Sequence, residues 1–252
     1  MEANVLSLDG KAKGKMPVPP IFETEVKPEL IRRAVIAENT LNFQPQGHYL
    51  LAGMQTSARY YGRMQSYRTG RHMGRAIRPR QKLGGGSQGE VRRIPSSTKG
   101  KRAHPHLVEK TIIERINRRE YQMALASAVS ATKSDNAPLV VADEIESIAK
   151  TKEMFNIFKR LNVSKGIAEK PKIRKGLRRS SKRKQYRKSV LLVLGSNASA
   201  IKAARNIAGV DACAASDIRA NLLAPGGVPG RVTVWSENAI KSIEESVKSK
   251  SL

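Results

Sequence analysis

The chain has a single cysteine, few aromatic residues and few acids. With Cys213 alone no internal disulfide and no CxxC metal pair can form. In the weakly apolar run Asp211 to Ala215, Cys213 reads as a small buried residue rather than a reactive thiol. No stretch approaches the roughly 18 consecutive apolar residues of a membrane helix. The start, Met1-Glu2-Ala3-Asn4, lacks the basic-then-apolar order of a signal peptide. A soluble, intracellular protein without a membrane partner is expected.

The shortage of acids is the most informative. Only 21 Asp and Glu stand against 47 Lys and Arg in 252 residues, a formal charge of +26. That exceeds what solubility requires and points to a polyanionic partner. The excess is local. Residues 59–106 hold 13 Lys/Arg and one acid, Glu90, and residues 165–188 hold 12 and one acid, Glu169. The other 180 residues carry only +3. The chain therefore reads as one nearly neutral domain over residues 1–252, with a long basic loop at 59–106 and a basic surface insertion at 165–188.

Neither basic segment has the means to fold alone. Between Arg59 and His106 the only Val, Ile, Leu or Phe residues are Ile77, Leu83, Val91 and Ile94, while glycine recurs eight times. So little apolar surface does not offset the ordering entropy. A solvated linker would share this composition, but the cations favour a structured polyanion. Arg59, Arg63, Arg68, Arg71, Arg75, Arg78 and Arg80 are all arginine, which forks onto phosphate and stacks on bases. Tyr60, Tyr61 and Tyr67 are interleaved with them as stacking surfaces for unpaired bases. Lys82, Arg92, Arg93, Lys99, Lys101, Arg102 and His104 extend the candidate RNA-binding set. The second segment adds Lys172, Arg174, Lys175, Arg178, Arg179, Lys182, Arg183, Lys184, Arg187 and Lys188, a run equally compatible with a nuclear-localisation patch.

From Pro138 onward, strand and helix patterns alternate. Leu139 to Ala142 reads as a short buried strand, followed by one helix carrying Ile145, Ile148, Met154, Ile157, Phe158 and Leu161. Val190 to Leu194 is the clearest strand, and a helix follows over Ala198 to Ala208. Ala212 to Ala215 is a weaker strand and Val232 to Trp235 the last, with Ser236 placed to cap a C-terminal helix. Pro28 opens a helix to about Leu41, and Asn117 to Thr132 forms another, alanine-rich, whose Met123, Leu125, Ala128 and Val129 can pack. The alternation predicts an α/β fold: a three-layer body with a mainly parallel sheet and helices on both faces.

An α/β sheet invites a nucleotide-dependent enzyme as a rival. Gly84, Gly86 and Gly89 have GxGxxG-like spacing, but Arg78 to Lys82 precede them rather than an apolar strand. Gly195 to Ser199 does lie between strand and helix, where its amides could hold an anion, though Ser/Asn capping explains it as well. Neither stretch has a Walker lysine and hydroxyl, and no GxSxG occurs. His104 and His106 flank Pro105 without cysteine or clustered acids nearby, so an RNA contact or a loop anchor is favoured over a metal site. No catalytic residue, metal or cofactor is expected. A DNA-compacting protein remains a second rival.

Several stretches together resemble one family. They are Gly47-His48 through Ala58-Arg59, Thr69 to Arg75, Lys99 to His106, Asn117 to Leu125, Ala204 to Val210, and Leu223-Ala224-Pro225-Gly226-Gly227-Val228-Pro229-Gly230-Arg231. In that order they are similar to the large-subunit ribosomal protein family known as L four, across essentially the whole chain. The ending at Leu252, short of the basic extension of eukaryotic members, leads to the archaeal form being expected.

The resemblance implies a structural, non-enzymatic constituent of the cytoplasmic large ribosomal subunit, bound to large-subunit ribosomal RNA and neighbouring ribosomal proteins. It implies that the loop tip lines the polypeptide exit tunnel and meets the nascent polypeptide in passing. Arg71, His72, Met73, Gly74, Arg75, Gly84, Gly85 and Gly86 are the tip candidates, and Arg231 with the turn before it is a further RNA contact. A loop of 48 residues, doubled back and fully extended, would reach roughly 80 Å.

Overall fold

The computed structural model describes residues 1–65, 69–133, 137–165, 167, 171–175, 182–196 and 199–250. In chain order its strands and helices are β1 (Glu2–Leu6), β2 (Ala12–Pro17), α1 (Pro28–Thr40), β3 (Arg80–Lys82), β4 (Gln88–Val91), α2 (Arg118–Ser130), β5 (Leu139–Val141), α3 (Thr151–Arg160), β6 (Lys172–Lys175), β7 (Lys182–Gln185), β8 (Val190–Leu194), α4 (Ser199–Arg205), β9 (Val210–Ala214), α5 (Ala220–Leu223), β10 (Val232–Ser236) and α6 (Glu237–Ser249). The chain divides into two units, a body of residues 1–42 with 113–252 and a basic unit of residues 43–112.

The body is built on a six-stranded sheet in the order β2-β1-β5-β10-β8-β9. All pairings are parallel except the antiparallel β1–β2 hairpin. β8 shows why the sheet sits in the middle. Its five apolar residues are all buried, with Val190, Leu192 and Leu194 in one core and Leu191 and Val193 in the other. A strand covered on both faces has no polar alternation, so it reads as a continuous apolar run.

Residues of α1, α2, α5 and α6 pack in the first core, where Phe22 meets Trp235 edge to face at 5.4 Å. Met154, Ile157 and Phe158 of α3, and Ala200, Ile201 and Ala204 of α4, fill the second. This is the α/β, three-layer, mainly parallel body expected. Ser236 caps α6 as expected, its Oγ accepting from the Ala239 amide at 3.2 Å.

The differences are local. The segment predicted as one helix from Ile145 to Leu161 is a 3₁₀ turn at Asp143–Ser147, a break, and then α3. α4 ends at Arg205 rather than Ala208, with Ile207 packed from beyond its end. Met123 is 54% exposed, so it faces away from the core. The hairpin β1–β2 had no counterpart among the predicted elements.

Cys213 is buried, and burial pushes its thiol up to about 12. The thiolate is therefore scarce at pH 8, and a thiol reagent should leave the native protein unmodified there while labelling it fully in denaturant. Stoichiometric labelling without denaturant, followed by mass spectrometry, would contradict this packing.

Candidate nucleic-acid interface

In the basic unit the segment 59–106 is not a simple doubled ribbon. β3 and β4 form a short antiparallel hairpin. Gly85, at φ 68, sits in the turn between them, a conformation that costs glycine little. Arg59 bridges to Arg80, and the Gly70 amide donates to the Tyr61 carbonyl at 2.6 Å. A second turn carries His72 and Gly74 in the left-handed region, at φ 57 and 65. These local closures bring the reach below the fully extended limit.

Three stretches, residues 59–61, 70–78 and 80–87, converge on a cavity of about 40 Å³. Arg59, Arg75, Arg78, Arg80 and Lys82 line it, together with Tyr60 and Tyr61. The Lys82 ammonium lies 4.4 Å from the centroid of the Tyr61 ring. Among the described residues no carboxylate comes within ion-pair distance of these five cations. Glu90, the one acid of the segment, is paired with Arg92, which also donates to the Thr98 carbonyl at 2.7 Å.

Of the remaining candidates, Arg63, Arg71, Met73, Arg93, Lys99, Lys101, Arg102 and His104 are exposed, as are Gly84 and Gly85. Arg93 reaches back to the Met54 carbonyl at 3.4 Å. Gly100 is held where a Cβ would stand 1.9 Å from the Ile94 carbonyl oxygen, so this basic stretch turns where only glycine fits. The calls on Tyr67, Arg68, Arg178 and Arg179 fall outside the described residues.

In the body, β6 and β7 form an antiparallel hairpin whose register opposes Arg174 to Arg183 and Lys175 to Lys182. Lys172, Lys184, Arg187 and Lys188 are exposed. A groove of about 510 Å³ is lined by Lys165, Arg187 and Lys188 together with Pro225, Val228, Pro229 and Gly230. Lys165, the first residue of the basic insertion read from the sequence, is thus set beside its last two cations.

Arg231 has a different task from the RNA contact expected of it. Its side chain is 2% exposed and pairs with Asp211 at 2.8 Å. It also donates to the Leu222 and Val190 carbonyls at 2.8 and 2.7 Å. Burial lowers its pKa and the Asp211 charge raises it again. Asp211 also pairs with Lys188 at 3.3 Å, so Arg231 braces the floor of the groove from within.

Of the stretch weighed as a nucleotide loop, Asn197 and Ala198 lie outside the described residues, and Gly195 and Ser196 are already engaged. The Gly195 amide donates to Glu146 Oε1 at 2.9 Å, and the hydroxyls of Ser236 and Ser196 donate to the same carboxylate at 2.8 and 3.2 Å. An incoming phosphate would have to displace the chain's own carboxylate.

Comparison with known proteins matches residues 16–246 to the model of the ribosomal protein L4/L1 family. Among similar proteins are those named large ribosomal subunit protein uL4 from three archaea. The chain is 39% identical to that of Methanococcus vannielii, over 97% of this chain and 99% of the relative. It is 40% identical to that of Methanococcus maripaludis strain C7, over 96% and 98%. It is 38% identical to that of Methanocaldococcus jannaschii, over 97% and 99%. With a match of this extent, the chain belongs to the ribosomal protein L4/L1 family.

Proposed function

We propose that this member of the family is a structural constituent of the large ribosomal subunit in the cytoplasm, with no catalytic step of its own. It binds large-subunit ribosomal RNA through two cationic surfaces, residues 59–106 and the β6–β7 hairpin with its neighbouring groove. The long basic segment enters the RNA, its arginines on phosphates and its tyrosines partly stacked on bases. The turns at Arg71 to Arg75 and Gly84 to Gly86 form its tip, line the polypeptide exit tunnel beside neighbouring ribosomal proteins, and meet the nascent chain in passing.

The observation that carries this reading is the set of five cations around the cavity, which among the described residues meets no carboxylate. Like charges at directly opposed positions of a ladder destabilise it, and the β6–β7 register sets cation against cation. A polyanion threaded along such a hairpin removes the repulsion, and the release of its counter-ions favours association. Arginine and tyrosine around one cavity are the pair of side chains suited to unpaired RNA, where phosphate and base face are offered together.

The test is fractionation of a lysate from cells making the protein, on a sucrose gradient after a high-salt wash. One copy per large subunit by mass spectrometry is the expected result. A protein running free, or with DNA, would overturn the proposal in favour of general nucleic-acid binding.

A further inference from the structure

We propose that the cavity between Tyr60 and Lys82 is a socket for a single phosphoryl group of RNA, so that one nucleotide is held there in a fixed register. The inference rests on the RNA-binding reading above and narrows it from a charged surface to one site. Size decides what the cavity can hold. A water needs roughly 10–15 Å³ of such space, so about 40 Å³ takes three or so waters, or one tetrahedral phosphoryl group. A base is too large for it. The base of the same nucleotide has to lie outside, where Tyr60 is 38% exposed at the rim.

Charge decides which group enters. Arg59, Arg75, Arg78, Arg80 and Lys82 converge from three stretches of chain, and the segment's only acid is turned to Arg92, which does not line the cavity. Five cations around so small a space repel one another, and a backbone phosphate, with its negative charge shared over two non-bridging acceptor oxygens, answers more than one forked donor at once. The backbone is closed around the site by the Arg59–Arg80 bridge and the Gly70 to Tyr61 bond, so the donors come from a built turn rather than a free tail. Gly70 matters here, since a Cβ at this position would stand 3.3 Å from the Tyr60 ring.

Phosphate-ethylation interference tests the socket, with the full chain and transcribed large-subunit RNA. Two double variants remove equal charge: Arg75→Ala with Arg78→Ala inside the cavity, and Arg63→Ala with Arg102→Ala outside it. The inner pair should weaken binding roughly a hundredfold and erase one discrete interference position. The outer pair should weaken it about tenfold and keep that position. Arg75→Lys with Arg78→Lys preserves charge without the fork and should recover only part of the loss. Equal losses with unchanged interference in both alanine pairs, or full recovery by lysine, would sink the socket and leave RNA binding standing. Failure of the unaltered chain to bind the RNA would sink both.

Discussion

Raising monovalent salt from 50 to 200 mM is expected to weaken binding of the chain to large-subunit RNA by roughly a thousandfold. The estimate comes from counting exposed cations. Among the described residues of the 59–106 segment, Arg59, Arg63, Arg71, Arg75, Arg78, Lys82, Arg93, Lys99, Lys101 and Arg102 are exposed. Arg59, Arg75, Arg78 and Lys82 share the one phosphate of the cavity and the other six neutralise one each, about seven contacts; at about −0.7 per contact in single-stranded RNA the logarithmic slope is near −5, and a fourfold change in salt gives the stated loss. Filter binding across a salt series measures the slope directly. Arg92→Ala should leave it nearly unchanged, because that guanidinium is held by Glu90 and the Thr98 carbonyl. A slope shallower than about −2 would mean that most of these cations face solvent in the complex.

The sequence made the body legible where burial is two-sided or helical faces are strong. β8 stands out because five apolar residues in a row have no exposed face to break them. The hairpin at the start of the chain was hidden for the opposite reason. Glu2 to Leu6 does alternate, with Ala3 and Val5 buried, but alanine is a weak marker. Its partner β2 lies on the sheet edge, and Ala12 to Lys15 are exposed throughout, so no pattern records it.

The candidate site was legible as an inventory only. Composition finds the arginines and tyrosines of the loop, yet the meeting of Arg59 with Arg80 and Arg75 depends on pairings far apart in sequence. Arg231 shows the limit most plainly. A basic residue after a glycine turn looks the same in sequence whether it reaches outward to phosphate or inward to Asp211 and two carbonyls. Only burial separates the two.

Glu38→Ala should destabilise the body by about 3–5 kcal/mol, since it strips the acceptor from three buried or partly buried neutral donors at about 1–3 kcal/mol each. Glu38 is 7% exposed in the middle of helix-helix packing. Its Oε1 accepts from the Tyr121 hydroxyl at 2.6 Å and the Ala220 amide at 2.7 Å, and its Oε2 accepts from the Asn221 amide at 2.9 Å. One carboxylate thus ties α1 to α2 and satisfies two amides of the first turn of α5, which no local capping side chain serves. Burial, and then the bond to Glu38, raises the Tyr121 pKa, so this phenol stays a neutral donor. Alanine leaves all three donors without an acceptor. Glutamine keeps the shape but turns an amide against one of the donors, and should cost about half as much. Tyr121→Phe removes one donor and should cost the least, about 1 kcal/mol. Urea denaturation of the three variants should give this order, and a Glu38→Ala loss below about 1 kcal/mol would show that water replaces the carboxylate. The effect should also reach the RNA face. α5 runs into the Pro225–Gly230 turn that walls the groove beside Lys188, so loosening it should weaken RNA contacts there while leaving those of residues 59–106 in place.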